Sequence, residues 1–141
     1  MAILSIDRIS VQASASDKAE AIRKAGELLV DSGCVKPAYV AGMLAREKTM
    51  STYLGNGVAI PHGEFENRGD ILKTGLSVLQ IPQGVVWEDE EKAYLVIGIA
   101  ASSDEHVGVL SRLAEVIEDE DMTNNLIQTT DPDLILQVLG K

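Results

Sequence analysis

The stretch AYLVIGIAA at 93–101 is nearly all apolar. A strand with one wet face alternates between apolar and polar residues, so a strand with this composition must be covered on both faces. Such a strand needs helices on two sides of a sheet, and the chain supplies them. SDKAEAIRKAGELLVDSG predicts a helix: Asp17 and Glu20 have capping-box spacing, Ile22, Ala25, Leu28 and Leu29 form one apolar stripe, and Gly33 is placed as its stop. KPAYVAGMLAREK predicts a second helix, with Pro37 in its first turn and Val40, Met43 and Leu44 on one face. SSDEHVGVLSRLAEVIEDE predicts a third, with Asp104 as N-cap and Val107, Leu110, Leu113, Ala114 and Ile117 turned inward. Two shorter helices follow, DMTNNLIQT and DPDLILQVLG, the latter opened by Asp131 and Pro132.

Between the helices the period changes. GVAI (57–60) alternates and stops at Pro61, which forces the residue before it toward extended geometry. TGLSVLQI (74–81) is a second strand, followed by the turn-like Pro82-Gln83-Gly84. No repeat, low-complexity tract or Pro/Ser-rich linker divides the chain. Residues 1–141 therefore read as a single α/β domain with helices on both faces of its sheet, in a strand order that these segments do not specify.

Twelve basic against twenty-two acidic residues give a net charge of −10, which argues against nucleic acid or an anionic membrane as partner. No run of 18 apolar residues exists, and the opening MAILSIDRIS is too short and polar for a signal peptide. Cys34 is the one cysteine, so no disulfide forms within the chain, and a reducing, cytoplasmic setting is expected. Cys34 reads as a half-buried structural thiol at a helix end, and the acidic WEDEEK (87–92) as a solvated loop.

The chain has only two histidines. His62 follows a strand, where α/β folds place their sites, between the stiff Pro61 and Gly63, which leaves room for a bulky group to come close. A lone histidine is ordinarily a surface or packing residue. His106, however, falls in the first turn of the third helix, directly after the apolar strand. The amides and dipole there favour an anion and disfavour a protonated imidazole. If GVAI and AYLVIGIAA are neighbours with parallel ends, both histidines meet at one rim of the sheet.

Two neutral imidazoles beside helix amides suit few chemistries. Zinc wants further ligands, and the chain has no HExxH or CxxC. It lacks the GxSxG elbow of serine hydrolysis, and with no P-loop and no GxGxxG nucleotide binding has no support, so no cofactor is implied. Histidine as a nucleophile toward phosphorus remains, because imidazole attacks phosphoryl groups and passes them on.

GNGVAIPHG resembles the active-site signature of the mannitol/fructose-type enzyme IIA domains of the bacterial phosphoenolpyruvate:sugar phosphotransferase system. Glu47 stands seven positions before the Leu54-Gly55 pair, and Ala59, Ile60, Pro61, His62 and Gly63 match the Ala-aliphatic-Pro-His-small run. The resemblance covers nearly the whole chain. AREKTMSTYLG, LKTGLSVLQIPQGV, LVIGIAA and DEHVGVLSRLAEVI are most similar to the mannitol branch.

The resemblance implies a mixed, mainly parallel sheet between helices. It implies that His62 is phosphorylated on Nε2 by phospho-HPr and passes the group to a cysteine of an enzyme IIB domain, for uptake of mannitol or a related sugar. It places His106 and Arg46 in the same site. Met43, Met50 and Tyr53 are either part of a docking surface around His62 or core residues. Two other functions stay open: a regulatory, nitrogen-type enzyme IIA that acts by phosphorylation-dependent protein binding, and a two-histidine metal site.

Overall fold

The computed structural model describes residues 3–101 and 103–140, and the side chains of these except 65 and 103–107. Among the described residues, five strands form one sheet: β1 (Ile9–Ser10), β2 (Tyr53–Gly55), β3 (Val58–Ala59), β4 (Gly75–Glu88) and β5 (Glu91–Ala100), in the order β1-β4-β5-β3-β2. The sheet is mixed, as expected, but only partly parallel where a mainly parallel one was expected, because its longest ladder, β4–β5, is an antiparallel hairpin. β1 runs parallel to β4 and β3 parallel to β5, while β4–β5 and β2–β3 are antiparallel. The apolar run of 93–101 falls on β5, the middle strand. Val96 and Ala100 pack into the cluster on one face, with α1 (Lys18–Asp31) and α2 (Ala38–Thr49). Leu95, Ile97 and Ile99 pack into the other, with α3 (Ser103–Glu118), α4 (Glu120–Gln128) and α5 (Pro132–Leu139). Each of the fully buried aliphatic side chains contributes about 2 kcal/mol.

Local chemistry sets the helix ends. Asp17 accepts the Glu20 N–H at 2.8 Å, while the Glu20 carboxylate reaches back one residue further than a capping box, to the Ser16 N–H at 2.9 Å. α1 ends in a Schellman turn. Gly33 has φ +81°, its N–H bonds Val30 O at 3.0 Å, and the Cys34 N–H bonds Leu29 O at 2.9 Å. α3 starts at Ser103, which puts Asp104 inside its first turn instead of at the N-cap. Val107 lies outside the described side chains; Leu113 and Ile117 are buried as expected.

Three further expectations are corrected. Pro82-Gln83-Gly84 does not end a strand: β4 runs on through it, and Gln80 pairs with Leu95 while Val85 pairs with Ala93. The surplus residues are accommodated as a bulge. Pro82 is exposed and lies beyond Leu79, the last β4 residue paired with β1, so its missing N–H breaks no ladder. The acidic WEDEEK is a tight hairpin, with Asp89 and Glu90 as its turn, Glu88 paired with Glu91, and Trp87 buried. Cys34 is fully buried, not half-buried.

Candidate active site

Pro61 stops β3, but the chain stays beside β5. The Ile99 N–H donates to Pro61 O at 3.0 Å, and His62 pairs with Ile99 in parallel sense. The neighbour relation on which a shared histidine rim depends therefore holds. α3 begins four residues after Ile99, and His106 lies in its first turn; the His106 side chain is outside the described residues.

His62 is half-buried, and its Nδ1 lies 2.8 Å from the carbonyl oxygen of Ile60. A carbonyl only accepts, so Nδ1 carries the proton, and the basic lone pair of the neutral ring belongs to Nε2. The bond reaches back only two residues, so it also fixes the ring against its own backbone.

That backbone is held on both sides. Before His62, the Ile60 N–H donates to Thr52 O at 3.0 Å. Thr52 is anchored by Glu47, whose carboxylate accepts from the Thr52 N–H, at 3.0 Å to Oε2, and from the Thr52 hydroxyl. The Trp87 Nε1–H donates to the same carboxylate at 3.2 Å, and Lys18 Nζ lies 3.6 Å away. Glu47 is 6% exposed, and these donors are what make a buried carboxylate tolerable. After His62, the Gly63 N–H donates to the Tyr39 hydroxyl at 2.9 Å, and that hydroxyl donates to Ile99 O at 2.8 Å. The next turn is closed by Asn67, whose Oδ1 accepts the Glu64 N–H at 2.8 Å.

Arg46 lies in the last turn of α2, half-buried, with Nη1 donating to Met50 O at 2.6 Å. It thus satisfies one carbonyl at the negative end of the helix dipole. Met43 is core, fully buried. Met50 is 66% exposed, and Tyr53 is half-buried, with its hydroxyl accepting the Gly57 N–H at 3.1 Å. Among the described residues no three His, Cys, Asp or Glu side chains are grouped to hold a metal.

Sequence reasoning passed over Tyr39 and Thr52. Tyr39 bonds residues 24 and 60 positions away, and no local pattern carries such a link. One signal was present: a tyrosine one turn before Met43 on the same helix face is due for burial, and a buried tyrosine hydroxyl needs a partner.

Residues 2–141 match the family model described as phosphoenolpyruvate-dependent sugar phosphotransferase system, EIIA 2. The chain belongs to this family. It is 50% identical over 127 residues, 90% of this chain, to a multiphosphoryl transfer protein of Escherichia coli O157:H7, and 45% identical over 139 residues, 97% of this chain, to the PTS system mannitol-specific EIICBA component of Escherichia coli K12. The match spans 34% of the first relative and 22% of the second, so both are far longer than this chain. A solved structure, the complex of enzyme IIAMTL and phosphorylated enzyme IIBMTL from Escherichia coli, superposes with a TM-score of 0.90 at 44% identity, covering 96% of this chain and 95% of that one.

Proposed function

We propose that this chain is a phosphocarrier that takes a phosphoryl group from phospho-HPr on His62 Nε2 and hands it to the cysteine of an enzyme IIB domain. The observation that carries the reading is the bond from His62 Nδ1 to Ile60 O, which leaves the nucleophilic lone pair on Nε2. In the first step the Nε2 lone pair forms a bond to phosphorus while the donor P–N bond breaks, and the donor nitrogen keeps that electron pair. The His62 ring becomes cationic, and its Nδ1–H bond to Ile60 becomes charge-assisted and stronger. In the second step a thiolate sulfur bonds phosphorus, the Nε2–P bond breaks, and the ring returns to its neutral form. Nδ1 keeps its proton throughout, so neither transfer waits on a proton.

Catalysis of this kind is mostly positioning, with charge stabilisation on the phosphoryl oxygens. Arg46 is assigned to those oxygens as a fork of donors, and His106 as a hydrogen-bond donor from the start of α3. A mannitol-type IIB domain is the acceptor that the likeness to the IIAMTL–IIBMTL complex supports. The 45% identity to a mannitol-specific protein favours a sugar carrier over the regulatory reading. A cytoplasmic location fits that role, and no helix among the described residues is long and apolar enough to cross a membrane.

Incubation with phosphoenolpyruvate, enzyme I and HPr, read by intact mass, tests the proposal. One acid-labile phosphoryl group on wild type and none on His62→Ala is the expected result. An unmodified wild type, or a modified His62→Ala, overturns it. His106→Ala should slow acceptance without abolishing it.

A further inference from the structure

His62 is the last point at which its segment pairs with β5, and the side chain that closes that pairing comes from α2 instead of the sheet. In a continuous parallel ladder the Gly63 N–H would bond Ile99 O directly. Here the Tyr39 hydroxyl joins the two, accepting from Gly63 at 2.9 Å and donating to Ile99 at 2.8 Å. We propose that Tyr39 is a positioning residue for phosphoryl transfer, fixing the His62 backbone against β5 so that the ring keeps its bond to Ile60 and presents Nε2. The inference rests on the reading of His62 as the phosphoryl acceptor.

Three features make this more than a packing contact. Tyr39 is 2% exposed, so water cannot replace either bond if the geometry slips. Burial raises the phenol above its ordinary value, which keeps the proton that the bond to Ile99 requires. The ring lies against Gly63 so closely that a Cβ there would stand 2.6 Å from Tyr39 Cε1. The same helix, through Glu47 and Thr52, holds Ile60 on the other side of His62. α2 therefore grips the segment at both ends, and Tyr39 is the grip nearest the ring.

The contact between His62 Nδ1 and Ile60 O depends on the relative placement of two residues only two apart. Releasing Gly63 gives the ring freedom to leave that carbonyl. Away from that carbonyl, a neutral imidazole favours the Nε2–H tautomer, whose proton occupies the attacking nitrogen. Loss of the Tyr39 hydroxyl should thus act on the chemical step and not on partner binding.

The test is Tyr39→Phe, which keeps the ring and removes the hydroxyl. The maximal rate of acceptance from phospho-HPr should fall by about ten- to a hundredfold, as for other small misplacements of reacting groups, with half-saturation changed less than about twofold. The ¹⁵N spectrum of the His62 ring, identified by its loss in His62→Ala, should move from the Nδ1–H pattern toward the Nε2–H pattern. A lower melting temperature with rate and ring spectrum unchanged would overturn the proposal and leave Tyr39 a packing residue. Should Tyr39→Phe not fold, amide exchange in wild type decides: a Gly63 N–H that exchanges as fast as a loop amide overturns the bridge. If wild type accepts no phosphoryl group, the reading of His62 fails, while the ring spectrum and the Gly63 amide still report on Tyr39.

Discussion

Glu47 holds Thr52 by two groups at once, its carboxylate accepting both the backbone N–H and the side-chain hydroxyl. The same carboxylate takes the indole N–H of Trp87 from β4. One buried side chain thereby ties the end of α2 to the strand that precedes His62 and to the far end of the longest hairpin.

Replacing Glu47 with Gln tests that hub. The amide keeps the shape but turns two of its hydrogens toward a site lined with donors. Loss of charge-assisted bonds and a mismatched donor should cost about 1–3 kcal/mol. Urea unfolding followed by the fluorescence of Trp87, the single tryptophan of the chain, measures it directly. An unchanged midpoint would mean that Glu47 anchors nothing.

The sequence signature marked Glu47 by its spacing from Leu54-Gly55 without giving it a task. Its spacing is legible because it is local; its partners are not, since Trp87 stands forty residues away. The same divide separates what could be read from what could not. The middle strand, the helices and the Pro61-His62-Gly63 segment announce themselves through composition and period. β1 and β2 are too short to show a period, and they exist only because β4 and β3 offer them partners. Pro82 signals a turn by every local rule, yet β4 passes through it because β1 has already ended. The two grips on His62 belong to this second class, being tertiary contacts of α2.

Arg46 makes a different kind of contact, with one N–H on Met50 O. Lys at this position can cap the same carbonyl, so the stability of Arg46→Lys should stay within about 0.5 kcal/mol of wild type. The planar fork is lost, however, and phosphoryl acceptance should drop by about tenfold or more. A rate equal to that of wild type, measured by the time course of phosphorylation, would leave Arg46 as a helix cap alone.

Tyr39 should also leave its mark on stability at high pH. Burial raises its folded-state value above the ordinary 10.0, so the folded protein holds the proton more tightly than the unfolded chain does. The associated stability is complete below pH about 10 and is lost as pH climbs from there through the raised folded value. Burial raises Tyr53 as well, which adds a contribution of the same sign. Tyr39→Phe should therefore flatten, but not abolish, the fall of unfolding free energy between neutral pH and pH about 11. Parallel alkaline limbs for the two proteins would mean that the phenol titrates alike in both states.

Gly63 is set by space instead of backbone conformation, since it does not adopt a positive φ. A Cβ at this position would lie 2.6 Å from Tyr39 Cε1 and 3.0 Å from Cζ. The ring cannot slide away cheaply, because its hydroxyl is bound on both sides. Gly63→Ala should cost about 1–3 kcal/mol, in the range of overpacking a tight site, and should slow phosphoryl acceptance by shifting His62. If the Tyr39 ring is the obstacle, the penalty of Gly63→Ala should largely vanish in a Tyr39→Ala background. The double-mutant cycle would then show a coupling of about 1 kcal/mol or more. Additive penalties would mean that the added methyl group meets something other than Tyr39, with the Cβ of Asn67 at 3.2 Å the next contact in line.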